Sequence, residues 1–564
     1  MISVSGKIWT EQNVNKNLVE KFKQDYGLGD ILSRLVISRN YDTSEIYGIN
    51  NNQKLINIFK DDKDFDKASL ILINAINDNE NICILGDYDV DGACATSLLV
   101  RYFNYINQKH FFYIPDRTED GYGASKKLFQ KLILKKPNLI IMVDCGSTSN
   151  DAIEYLNKHN IKSIIIDHHE INKPFPKSNI IINPKKESFK KESSLLCATA
   201  LTYFFIEIII QKTKSNFKIS NFLIYVLLAT ICDVMPLRKI NKIIARNAIN
   251  NFKIQNNLAL NYIFEQYSLK KKLTIDDLGY LIGPIINSGG RLNSSNYGVE
   301  LLSTDNPEII KDRSDKLIAL NNKRKIIEQN ILDKIDFEKI KKENKNVIIY
   351  YKENLNEGLI GIIASRLKDY FNKPSIVITK SNDKLKASAR STVSYNIGYL
   401  IKSLVDNKII DSGGGHNMAA GFTIKKGNIR LLDNFIQKDY IKKISKKDNT
   451  NNYDLEISSS FIKNKFAQDI NKLGPFGNFN FLPIFLIKNL KVIKLNIIKN
   501  KHLSVILKPN TGATIKAICF NCLNTKLGDY LLNYKKKINF IAQIHENIWN
   551  NKKTIQLNIK DLIL

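Results

Sequence analysis

The sequence predicts an α/β protein: a parallel-sheet domain, a smaller α/β domain joined to it by a long helix, and a C-terminal β-barrel. Three observations carry this prediction. Short apolar runs, NICIL at 81–85, NLIIMV at 138–143 and SIII at 163–166, have the length and β-branched content of buried parallel strands. A stretch of helical period, Ser149–His159, lies between the last two, and strand–helix–strand at this spacing marks a doubly wound sheet. From 453 to 564 the pattern changes to alternating runs (Phe485–Ile498, Leu503–Leu507, Ile515–Phe520, Ile538–Ile544), which suits a small barrel.

Residues 1–50 are mixed and form an N-terminal segment. From 51 to 80 the spacing of Leu55, Ile56, Ile58, Phe59, Leu70, Leu72 and Ile73 predicts a helix, and 195–300 read mostly helical. Glu308–Asn344 has neither Pro nor Gly. It places Ile310, Leu317, Leu320, Ile327, Ile331 and Ile335 at helical spacing, so one long solvated helix is expected. A second α/β unit follows: strand Val347–Tyr351, helix Ile360–Tyr370, and strands Ser375–Thr379 and Leu385–Arg390. The polar stretch 442–452 is a linker. The expected division is 1–50, 51–305 (parallel-sheet domain), 306–345 (joining helix), 346–445 (second α/β domain) and 453–564 (barrel).

The 564 residues are 43% hydrophobic, enough for several cores, which excludes global disorder. No segment approaches 18 uninterrupted apolar residues, and Met1–Glu20 has no secretory apolar block, so no membrane span and a cytoplasmic location are expected. Seven Cys do not make a disulfide framework, and the lone Cys519-x-x-Cys522 reads as core packing. The net charge of +29 has two readings. It suits a polyanionic partner. It also follows from a Lys-, Asn- and Ile-rich composition of the kind A/T-rich codons produce, since only 12 of the 84 cationic side chains are Arg.

The chemistry lies at the strand tips. The first strand ends in GDYDVDG with Asp87, Asp89 and Asp91; the second ends in VDCGSTS with Asp144; the third ends in Asp167-His168-His169. In open α/β sheets the functional crevice lies beyond the C-terminal strand ends, so these groups would converge. Each Asp alone reads equally as a helix cap or turn residue. Together, carboxylates a few ångströms apart cannot all ionise without a cation. Asp233, in the apolar stretch ATICDVMPL, adds a buried acid in need of a partner. Asp and His ligands with bridging carboxylates suit Mn²⁺ or Mg²⁺, and a pair of such ions suits phosphoryl transfer.

In this order GDYDVDG, VDCGSTS, DHH and ICDVMPL resemble the DHH phosphoesterase superfamily. IPDRTEDGYG (114–123), GPIINSGGRL (283–292), GLIGIIASRL (358–367) and GGGHNMAAGF (413–422) narrow the resemblance to the RecJ family of single-strand-specific 5′→3′ exonucleases, with its DHHA1 domain and C-terminal OB-fold. The resemblance covers roughly residues 50 to 564. It implies a two-metal site on Asp89, Asp91, Asp144, His168 and Asp233, with Asp144 as the bridge and Asp87 in the same motif. It implies that His169 orients or transfers a proton at the scissile phosphate and that Asp167 fixes an imidazole tautomer. His416 would face the metal cleft from the second lobe, with Gly414 and its neighbours approaching a phosphate. Arg117, Ser388 and Arg390 would hold a 5′-phosphate, Tyr122 would stack on a base, and Asn287 and Arg291 would touch the backbone. Single-stranded DNA would pass between the DHH and DHHA1 lobes, and the barrel would grip it. Residues 453–564 hold 17 Lys, no Arg and 6 acids, which suits nonspecific phosphate binding. A single-strand-binding protein and a helicase are the implied partners, recombination and repair the implied setting, and a monomer the expected state.

The chain departs from the family pattern in three places. Asp120 stands where the family has Glu, Ala387 and Ala389 replace two Gly beside Ser388 and Arg390, and PFGNFNF (475–481) replaces P-F-G-x-G-N-P. Two other readings are open. One is a DHH enzyme for short oligonucleotides or cyclic dinucleotides, which would be shorter and lack the barrel. The other is a single-strand-binding relative without catalysis, against which the full acid set argues.

Overall fold

The computed structural model describes every residue except 117–119, 121–122, 270, 293, 382–383, 444–449, 534–535 and 550–551. The chain forms two compact units, each discontinuous in sequence: 57–233 with 251–448, and 1–56 with 234–250 and 449–564.

The first unit holds two sheets. One has five strands, all parallel, in the order His110–Tyr113, Ile82–Leu85, Leu139–Val143, Lys162–Ile166, Ile180–Ile182. The three central strands are the three apolar runs, and every residue of Ile82–Leu85 and Leu139–Val143 is buried, as both-face coverage by helices demands. The two outer strands have no sequence counterpart above: one is half-buried with a polar start, the other only three residues long. Helices Val90–Tyr105, Asn150–Lys158 and Ala198–Thr213 flank this sheet. The second sheet runs Ser412–Gly415, Ala419–Ile424, Lys384–Arg390, Ser375–Ser381, Ile348–Tyr351. Its last pair is parallel and the rest antiparallel.

The long helix is shorter than its periodicity predicts. It spans Pro307–Leu332, opened by the Asn306 side chain on the N–H groups of Glu308 and Ile309, and a separate helix covers Phe337–Glu343 under an Asp336 cap. The apolar spacing continues across the break because Ile331 and Ile335 both belong to, or pack against, the core under helix Ile360–Phe371. Buried Glu328 accepts from Arg324 Nη1 at 3.0 Å and Arg366 Nε at 2.6 Å, tying the long helix to Ile360–Phe371. The helix expected over 51–80 begins only at Lys63, where the Asp62 carboxylate caps the N–H groups of Asp64 and Phe65; 51–62 are not helical.

In the second unit five strands close a barrel: Ile484–Ile498, His502–Lys508, Ile515–Cys519, Lys552–Ile563 and Lys537–Trp549, the last pairing back onto the first. Irregularities at Ile487/Leu490 and Val492/Lys494 bend the fifteen-residue strand so that it serves two neighbours. Residues 1–50 are ordered, with helices Lys16–Tyr26, Asp30–Ser38 and Thr43–Asn50, and Leu35, Val36 and Ile49 share one core with Phe485, Leu503 and Phe540. Asp42 and Glu45 make a reciprocal capping box at the third of these helices. Among the described residues no helix is long and apolar enough to cross a membrane.

Candidate metal centre

The strand tips deliver the acids as the strand order requires. Asp87 and Asp89 follow strand Ile82–Leu85, Asp144 follows Leu139–Val143, and Asp167, His168 and His169 follow Lys162–Ile166. Asp233 caps the C-terminal end of helix Leu223–Cys232. Among the described residues three groups have ligand atoms mutually within 4.8 Å: Asp87–Asp89–Asp144, Asp91–His168–Asp233 and Asp144–His168–His169. Asp144 and His168 each belong to two of them.

Several of these acids also have structural work. Asp89 is the N-cap of helix Val90–Tyr105, its Oδ1 accepting from the N–H groups of Asp91 and Gly92 at 2.9 and 3.1 Å. The Asp91 carboxylate accepts from the N–H groups of Ala198 and Thr199, both at 2.8 Å, at the start of helix Ala198–Thr213. Gly92 admits this turn, since a Cβ there would lie 2.4 Å from the Asp87 carbonyl oxygen and 2.5 Å from its nitrogen.

Asp144 differs from both. It is 1% exposed, and both carboxylate oxygens are buried with no hydrogen-bond donor. Its φ of +62°, rare for a residue with a side chain, turns it in at the strand tip. Burial first, then Asp91, Asp89, Asp87 and Asp233, push its carboxyl far above the ordinary range. Burial and neighbouring carboxylates push Asp91 and Asp233 up as well. His168 Nε2 lies 3.3 Å from Asp144, 3.5 Å from Asp233 and 3.6 Å from Asp91. Burial, then the charge on His169, push its pKa down to about 3, so it is a neutral imidazole. A neutral imidazole facing three acids, one with no donor at all, is the donor set of a divalent cation, and the residues fit Mn²⁺ or Mg²⁺.

The neighbouring imidazole has the opposite character. His169 Nδ1 bonds Asp167 Oδ1 at 2.8 Å. Burial alone would lower its pKa, but that bond outweighs burial and lifts it to about 9. Asp167, despite burial, is held well below the usual carboxylate range by the same bond, and it also accepts from the N–H groups of His168 and Ser147. The His416 ring is half exposed and lies 6.0 Å from that of His169, with planes 24° apart.

Other expected site residues are placed unevenly. Arg117 and Tyr122 lie outside the described residues. Asn287 is half-buried on helix Gly283–Arg291, and Arg291 Nη1 donates to the Gly358 carbonyl at 2.9 Å. Ser388 and Arg390 share one face of strand Lys384–Arg390, 3.2 Å apart, while Ala387 and Ala389 point into the core on the other. Those two alanines therefore leave the Ser388–Arg390 face unaltered. Of the three glycines before His416, Gly413 and Gly415 are demanded by packing, since a Cβ on either would come within 2.7 Å of Ile401 and Phe422 or of Ala419 and Ala420; Gly414 faces open space. Asp120 is a loop anchor, accepting from Tyr113 Oη and Lys131 Nζ.

Sequence reasoning missed Asn183 and Lys185. Asn183 Nδ2 donates to Ser147 Oγ at 2.8 Å and the His169 carbonyl at 2.9 Å, joining two of the tip loops. Lys185 Nζ pairs with Glu170 at 2.7 Å beside the histidines. The available signal was Asn183-Pro184 directly after the apolar run Ile180–Ile182.

Comparison with known proteins follows this division. The DHH family N-terminal domain matches residues 81–231, the DHHA1 domain 344–443 and the RecJ OB domain 453–561. The single-stranded-DNA-specific exonuclease RecJ of Bacillus subtilis is 25% identical over 98% of this chain and 70% of its own length, and that of Haemophilus influenzae 27% identical over 87% and 89%. The chain belongs to the RecJ family. The fold of this RecJ-family chain agrees with that of RecJ from Thermus thermophilus in complex with Mn²⁺, with a TM-score of 0.82 over 99% of this chain and 79% of the other at 18% identity. A second crystal structure of the Thermus protein, in complex with Mg²⁺, gives 0.76.

Proposed function

We propose that this RecJ-family chain is a metal-dependent, single-stranded-DNA-specific 5′→3′ exonuclease that releases 5′-mononucleotides and acts in DNA recombination and repair. The observation that carries the reading is Asp144, a buried carboxylate without a donor at the meeting point of three acid–histidine groups. Asp87, Asp89, Asp91, Asp144, His168 and Asp233 would hold two divalent cations, Mn²⁺ or Mg²⁺, with Asp144 between them. Bound there, such ions supply Lewis acidity and neutralise charge building on the phosphoryl group. His169, kept protonated by Asp167, is placed to donate a proton to the 3′-oxygen that leaves with the released nucleotide. His416 lies against that imidazole and orients the phosphate. Ser388 and Arg390, with Arg117 and the open backbone at Gly414, serve the 5′-phosphate, where a guanidinium gives paired contacts that an ammonium does not. Tyr122, Asn287 and Arg291 are assigned to the strand itself.

The barrel of 453–564 supplies single-strand affinity, consistent with its excess of Lys. We assign 1–50 as the N-terminal segment, 51–305 as the DHH domain, 306–345 as the joining helices and 346–445 as the DHHA1 domain. Partners of the expected kind are a helicase and a single-strand-binding protein, the working compartment is the cytoplasm, and the chain acts as a monomer.

Asp144→Asn tests the reading. It keeps the shape of the side chain and removes one of the crowded charges. Mn²⁺-dependent degradation of single-stranded DNA should fall roughly 10²–10³-fold, the scale on which one electrostatic stabiliser acts. In chelator the variant should melt above wild type, because a buried like charge is gone. Undiminished activity contradicts the assignment.

A further inference from the structure

The turn Pro475–Phe481 is where this chain departs most from its family, and the structure gives the departure a shape. Asn480 is 1% exposed and clamped: its side-chain amide donates to the carbonyls of Leu473 and Pro475 at 3.1 and 2.8 Å, and Tyr41 Oη donates to its Oδ1. Gly477 and Asn480 bond each other in both directions across the turn. The residues on either side of this anchor do the reverse of burying. Phe479 is 65% exposed and Phe481 61%. Phe479 also adopts φ +56°, the left-handed region that a bulky residue rarely enters, with no burial to compensate. The turn is docked on its own unit by the Leu237 N–H to the Asn478 carbonyl at 2.8 Å and by Asn478 Nδ2 to the Val234 carbonyl. Val234 is itself 62% exposed, at φ +57°, and follows Asp233 directly in the chain.

The ground behind the turn is cationic. Arg39 Nη1 donates to the Phe481 carbonyl, and Arg246 donates to the carbonyls of Gly474 and Lys472 at 2.9 and 2.6 Å. Arg238 bonds the carbonyls of Arg39 and Asn40, so three of the chain's 12 Arg converge here. Apolar rings held out rigidly over a positive base match one ligand chemistry: a flat apolar base carried on a phosphate chain.

We propose that Phe479 and Phe481 form a stacking platform for an unpaired nucleobase of single-stranded DNA. The proposal rests on the reading that single-stranded DNA is the substrate. The strained turn then buys nothing for stability and is retained for the ring it presents.

The test is binding of the full-length chain, in chelator so that no strand is cut, to a 5′-phosphorylated oligothymidylate and to an oligomer of equal length with abasic sugars. For Phe479→Gly/Phe481→Ala, affinity for the thymidylate should fall about ten-fold while affinity for the abasic strand stays unchanged, as loss of base stacking requires. Phe479→Gly alone should raise the melting temperature, since Gly accepts the left-handed φ freely, so lost affinity cannot come from unfolding. Equal loss on both strands, no loss on either, or a wild-type dimer in sedimentation that the substitutions dissolve would overturn the platform. If wild type still degrades single-stranded DNA with Mn²⁺ in these cases, the platform alone fails; if wild type neither binds nor degrades it, the substrate reading fails too.

Discussion

Asp89 and Asp144 show how little a residue's type says about its work until its donors are counted. Asp89 caps a helix and still offers an oxygen to the cluster, so the structural and metal-binding readings of a strand-tip acid hold together. Asp144 has only the second role. Both lie in motifs visible in sequence. Lys242 does not: it sits in an ordinary amphipathic helix, Lys239–Asn251, yet is 2% exposed with its ammonium 4.0 Å from the centre of the Tyr41 ring. Burial, then Arg246, push its pKa down to about 7. An unfolded Lys titrates near about 10.4. Between about 7 and 10 the unfolded chain therefore binds the extra proton, and stability should rise with pH across that window. Below it the full penalty is present. Lys242→Met should stabilise the protein by about 1–3 kcal/mol at pH 7 and flatten that rise, as read from denaturant midpoints. An unchanged slope between pH 7 and 10 would contradict the burial of a charged amine.

At the scale of elements, the parallel strands were legible because burial on both faces leaves apolar runs with nothing else to mean. Edge strands His110–Tyr113 and Ile180–Ile182 were not, since a short or half-buried strand carries no period. The break after Leu332 was hidden for a different reason: Ile331 and Ile335 meet one core from two helices, and periodicity cannot see the turn between them. The helix opening at Val90 carries the sharpest element-level prediction. A Cβ on Gly92 would strike the Asp87 backbone, which cannot give as a side-chain tip can. Gly92→Ala should displace the Asp87–Asp91 turn, cost about 1–3 kcal/mol and remove the rise in melting temperature that Mn²⁺ produces in wild type. A variant that keeps the full Mn²⁺-dependent rise would show that the turn tolerates the methyl group and that the close approach is not what sets the ligands.

For the whole molecule, motif order in the sequence was enough to place the acids, the second lobe and the barrel, because catalytic and metal-binding residues are dictated by chemistry that few residue types perform. Assembly was not legible. Residues 1–56 and 234–250 join 449–564 in one unit through long-range packing, of which the sequence shows only a capping box at Asp42–Glu45 and an apolar residue count. The +29 was equally poor guidance: the cations with defined partners are a few Arg, and the centre itself is acidic. The central claim is that this acidic centre cuts single-stranded DNA from its 5′ end. The most direct measurement is digestion of a long 5′-phosphorylated single strand, labelled separately at each end, with Mn²⁺, followed by identification of the products. The account predicts that the 5′ label appears at once in a 5′-mononucleotide while the 3′ label stays on a shortening strand, and that blunt duplex is untouched. Release from the 3′ end, internal cutting, or degradation confined to di- to pentanucleotides would contradict it.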